Sequence, residues 1–63
     1  MLVKDLIDKM KFFEGMIEVV DMNDNYICES LLIVKDREVE DFVIMGMTND
    51  SHEPVAYMIV KVR

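Results

Sequence analysis

The sequence predicts an α+β fold: one N-terminal helix packed on a four-stranded antiparallel β-meander, as a single domain over residues 1–63. Three observations carry this. Apolar residues near the start recur at helical spacing. Strand-type runs follow, separated by short turn sequences, and short links favour a meander. The last two runs, Asp41 to Met47 (DFVIMGM) and Pro54 to Arg63 (PVAYMIVKVR), are apolar at both parities of their alternation. A strand packed on one face alternates apolar with polar, whereas one covered on both faces reads as a continuous apolar run.

Residues 2–14 read as the helix, with its body from Leu2 to Phe13. Val3, Leu6, Ile7, Met10 and Phe13 form one stripe, and Lys4, Asp5, Asp8, Lys9 and Lys11 fill the other side. Asp5 and Lys9 stand four residues apart in the favourable order. Gly15 suits the left-handed position that ends helices. The first strand is Met16 to Met22 (MIEVVDM), followed by turn chemistry at Asn23, Asp24 and Asn25. Tyr26 to Lys35 (YICESLLIVK) reads as a longer second strand, with a turn at Asp36 and Arg37. The third strand runs from Glu38 to Met47, then a polar loop Thr48 to Glu53 leads to the fourth. Pro54 opens that strand, a position where a missing N–H costs little.

Parity separates the sheet faces. Ile17, Val19, Tyr26, Cys28, Leu32, Val34, Phe42, Ile44, Gly46, Ala56, Met58, Val60 and Val62 carry no charge and are assigned to the helix side. The other face has a charged rim of Glu18, Glu29, Lys35, Asp41, Lys61 and Arg63. Its centre is apolar, with Leu31, Ile33, Val43, Met45, Tyr57 and Ile59 as candidate interface residues beside Val20 and Met47. An apolar centre inside a polar rim is interface anatomy. A one-residue bulge would reassign part of this set.

A chain of 63 residues has one core, and its stability is marginal when alone. Small domains compensate with disulfides, a metal or assembly. The single cysteine, Cys28, excludes an internal disulfide. A hydrophobic fraction of 52% excludes a disordered tail. The net charge of −6 argues against direct binding to nucleic acid or an anionic membrane, and permits a basic protein partner. Lys4, Asp5, Asp8 and Lys9 interrupt the only N-terminal apolar segment, so no signal peptide is expected and a cytoplasmic location is.

The chemical motifs fail on inspection. Asp21, Asn23 and Asn25 resemble the opening of a calcium loop, but Tyr26 stands where the turn glycine belongs and Leu32 where the bidentate glutamate belongs. Ser51, His52 and Glu53 are adjacent in sequence and cannot align as a triad. Cys28 could pair with His52 as a nucleophile, yet its inward position reads as a small hydrophobe. The expectations are no enzyme activity, no cofactor and no metal. Asp21, Asp24, Glu29, Glu38, Glu40, Asp41, Asp50 and Glu53 cluster at strand ends and loops. They either imitate nucleic acid or simply solvate turns. Among the seven methionines, Met45 and Met47 fall on the open face, where flexible thioethers suit an adaptable binding surface.

The opening Leu2 to Met10 (LVKDLIDKM), with Gly15 and the run Ile17 to Asp21 (IEVVD), resembles small phage and prophage proteins. In those, a short helix with a "DLI" pattern leads into a strand and hairpins. The likeness covers about the first third of the chain, and Val3 stands where a capping Ser or Thr is usual. The resemblance implies an anti-CRISPR or other anti-defence inhibitor. The leading expectation is therefore a non-enzymatic interaction protein that forms a homodimer or larger oligomer and acts on a host nucleic-acid-handling or defence protein. The alternative is a small structural or regulatory subunit whose role is assembly.

Overall fold

The computed structural model describes residues Met1–Arg63. One N-terminal helix lies on a four-stranded sheet, as the residue pattern predicts, but the sheet is mixed and is not a meander. The chain forms α1 (Val3–Lys9), β1 (Gly15–Val20), β2 (Tyr26–Cys28), a 3-10 helix (Leu31–Val34), β3 (Val39–Thr48) and β4 (Pro54–Val62). The strand order is β2-β1-β4-β3. Hairpins β1–β2 and β3–β4 are antiparallel, and they join through parallel pairing of β1 with β4, from Gly15 opposite Ala56 to Val20 opposite Lys61.

The second predicted strand is the source of the difference. Only Tyr26–Cys28 pairs in the sheet. The Ser30 hydroxyl then accepts a hydrogen bond from the Leu32 N–H at 3.3 Å and starts the 3-10 helix. At three residues per turn, Leu31 and Val34 fall on the same side and both enter the core. Leu32 and Ile33 face outward. This segment carries the chain from β2 at one sheet edge to β3 at the other, and that crossing makes the parallel pairing possible.

Helix α1 ends at Lys9, well short of Phe13. Met10 closes it, donating its N–H to the carbonyls of Leu6 and Ile7. No Ser or Thr caps its start. Instead the Val3 and Lys4 N–H groups donate to the carbonyls of Arg37 (2.8 Å) and Lys35 (3.0 Å), and the Leu2 N–H to Asp5 Oδ2 at 3.1 Å. The orphan donors of the helix are thus met by the chain that follows the 3-10 helix. Gly15 does not end the helix. It opens β1, where a Cβ would collide with the carbonyl of Ala56, so its missing side chain allows close approach to β4.

The core comprises Val3 and Leu6 of α1, Val19 of β1, Leu31 and Val34, and Met58, Val60 and Val62 of β4. Phe13 packs against it from the turn after the helix. No polar or charged residue is buried. No helix is long and apolar enough to cross a membrane.

Candidate functional site

The register of β3 on β4 sets the open face. Val43 pairs with Ile59, Met45 with Tyr57, Met47 with Val55 and Asp41 with Lys61. Residues opposite each other in a ladder share a face. β1 adds Met16 opposite Tyr57, Glu18 opposite Ile59 and Val20 opposite Lys61. Four of the predicted interface residues, Val43, Met45, Tyr57 and Ile59, are therefore brought together on the side away from α1. The other two are not. Leu31 is 7% exposed in the core, and Ile33, though 72% exposed, stands on the helix side. Both were placed by an alternation that the 3-10 helix does not obey.

Sequence parity missed Met16 as part of this face and assigned Tyr26 to the wrong one. Tyr26 pairs with Val20 across a register shift between Val19 and Val20, which turns it outward. Its phenol is pushed above the ordinary value by partial desolvation, then by the charges of Glu29, Cys28 and Glu18. Tyr57 donates its O–H to Glu18 Oε2, and that bond raises the Tyr57 pKa. At the other end Lys61 Nζ lies 2.9 Å from Asp24 Oδ1, which raises the lysine pKa. A shallow hollow of about 200 Å³ opens here between Val20, Val43, Ile59 and Lys61. The face thus has an apolar patch along β3 and β4, a Tyr57–Glu18 pair on its β1 side and a Lys61–Asp24 pair at one end.

β3 differs from every other strand. It lies at the sheet edge, and each residue from Glu40 to Thr48 is exposed. On the open side Val43 and Met45 are 47% and 44% exposed; on the helix side Phe42 and Ile44 are 38% and 45% exposed. Phe42 and Ile44 were expected beneath the helix. A seven-residue helix is only about 10 Å long, the width of two strand spacings, so it cannot reach across the sheet. The free ladder groups of β3 begin beyond Val39, because the Val39 N–H donates to the Met1 carbonyl at 2.8 Å and Leu2 bridges Glu38.

The chemical candidates have structural occupations. Asp21 Oδ1 accepts the Asn23 and Asn25 N–H groups at 2.8 and 2.9 Å. The backbone bonds from Asn25 and then Asn23 hold its carboxyl below the ordinary value. Asn49 Oδ1 plays the same part in the other hairpin, accepting from Ser51 at 2.9 Å and Glu53 at 3.0 Å. Asp24 and His52, fourth in their loops, both have positive φ, 64° and 61°. Ser51, His52 and Glu53 therefore belong to a turn of the same design as the failed calcium loop. Cys28 Sγ donates to the Ser30 carbonyl at 3.3 Å, at the entrance to the 3-10 helix. No three His, Cys, Asp or Glu side chains converge as a metal-holding group. Several acids are also engaged: Glu38 with the N-terminal ammonium at 2.9 Å and Glu40 with Arg63 at 2.7 Å.

Comparisons with protein families, with curated proteins and with solved structures find no match.

Proposed function

We propose that this chain is a non-enzymatic protein-interaction module that works as a homo-oligomer and docks through its uncovered sheet. The observation that carries this reading is β3, a ten-residue edge strand whose apolar side chains are exposed on both faces. Isolated exposed hydrophobics are ordinary; a contiguous set rimmed by polar groups marks an interaction surface. Val43, Met45, Tyr57 and Ile59, extended by Met16 and Met47, form that surface. The acidic balance of the chain favours a basic protein as any further partner. The likeness to small phage proteins suggests an inhibitor of a host nucleic-acid-handling or defence protein. Engagement of Asp21, Asp24, Glu38 and Glu40 in turns and ion pairs favours structural roles for these acids over imitation of nucleic acid.

Light scattering from low to high micromolar concentration tests the reading. A mass above the 7.4 kDa of one chain is expected. A mass of one chain throughout the range overturns it.

A further inference from the structure

We infer that the partner of the β3 edge is the β3 edge of a second copy, paired antiparallel about a two-fold axis at Ile44 to give one continuous eight-stranded sheet. This rests on the reading of the chain as a self-associating module and specifies how the copies meet. An edge strand carries unpaired N–H and C=O groups, and soluble proteins blunt such edges with proline, bulges, inward charges or a covering loop. From Phe42 to Met47 β3 has no proline and no charge, and its one register shift lies earlier, between Val39 and Asp41. Another segment of the chain covers the edge only at its start, where Met1 and Leu2 occupy Glu38 and Val39; beyond that, the Asp41 carboxylate accepts the Phe42 N–H at 2.9 Å.

The span that no other segment pairs with is therefore Glu40 to Thr48, and its midpoint is Ile44; a partner carbonyl at Phe42 would displace the local Asp41 contact. Folding that span onto its copy sets Ile44 opposite Ile44, Val43 opposite Met45 and Phe42 opposite Gly46. The last pair gives an independent reason for the register. A Cβ at Gly46 would find nothing within 4 Å, so the space above it is open. An aromatic ring placed across from a strand glycine covers its bare backbone. The two-fold axis supplies this pairing twice. It also keeps both helices on one side of the sheet, so Phe42 and Ile44 from both copies fill the gap that each short helix leaves. The same register holds the acids apart. Asp41 falls opposite Met47, about six residues or 20 Å from the other Asp41, beyond the screening length of about 8–10 Å. The open faces of the two copies merge into one surface.

Two variants and a control test this. Ile44→Lys puts like charges together at the axis and removes two apolar side chains from the joint, so the dimer dissociation constant should rise roughly a hundredfold. Ile44 is already 45% exposed, and circular dichroism checks that the fold survives. In a Cys28→Ala background, Ile44→Cys should give a covalent dimer on mild oxidation, since directly opposed Cβ atoms lie about 4.5–5.5 Å apart. Met16→Cys, on the open face of β1, should not. If the wild type dimerises while Ile44→Cys fails to cross-link and Ile44→Lys still dimerises, the edge is not the joint, and self-association through the open face stands without it. If the wild type is a monomer throughout, both fall.

Discussion

Asp21 and Asn49 do the same work with different chemistry. Each heads a hairpin loop and accepts N–H groups two and four residues on. Because the carboxylate is the favoured acceptor, the pKa of Asp21 is lowered by the Asn25 and Asn23 backbone bonds. A lowered folded pKa stabilises the fold fully above the ordinary aspartate value, about 3.9, and that contribution fades as pH falls through the folded value. Asp21→Asn, which copies the acceptor of the other loop, should keep the pH 7 melting temperature and flatten the loss of stability below pH 4. Asp21→Ala should lower the melting temperature at pH 7. Thermal melts at pH 7 and pH 3 check both, and an unchanged acid slope for Asp21→Asn contradicts the assignment. Gly15 is a second residue whose role is set by space. Its Cβ would meet the Ala56 carbonyl, so Gly15→Ala should cost about 1–3 kcal/mol in urea unfolding. An unchanged midpoint would show that β1 and β4 can separate freely there.

Among the elements, those with one strong period were legible and those governed by tertiary contacts were not. The helical stripe of Val3, Leu6, Ile7 and Met10 located α1, but the helix ends at Lys9 and Phe13 packs on the core from the turn beyond it. Its start depends on carbonyls of Lys35 and Arg37, more than thirty residues away in sequence. The run LLIV is apolar at every position, so neither period is visible in it, and it was assigned to a strand. The signal that could have corrected this is Ser30, a capping residue ahead of the run. With the second strand misread, a crossing segment became a hairpin arm and parallel β1–β4 pairing was invisible. Four of the six predicted open-face residues survived because β3 and β4 were placed correctly. The difference between strand and 3-10 helix is measurable. On one strand face Leu31 and Ile33 would be equivalent; here Leu31 is core and Ile33 is exposed. Leu31→Ala should cost about 2–5 kcal/mol, and Ile33→Ala about 0.5 kcal/mol or less. Equal losses in chemical denaturation would restore the strand.

As a whole the molecule is a thin slab, 34 × 26 × 17 Å, with one covered face. Its radius of gyration of 11.7 Å exceeds the roughly 10.6 Å of a compact chain of this length. Its accessible surface of 4511 Å² exceeds the roughly 4,200 Å² usual for its mass. Only nine residues are buried, and the proposed second copy would add to that core. Two such chains each carry −6, which opposes their approach at long range. Added salt screens that repulsion while apolar burial persists, so the dimer should tighten between about 20 and 500 mM sodium chloride, over which the screening length falls severalfold. Sedimentation equilibrium reads this directly, and weakening with salt would point to an ion-paired joint instead. The central claim, that β3 is covered when the protein works, is tested most directly by amide hydrogen exchange of Phe42 to Met47 as protein concentration is raised. The expected result is rising protection of the alternate amides that point away from β4. Exchange of those amides at free-edge rates at every concentration would contradict it.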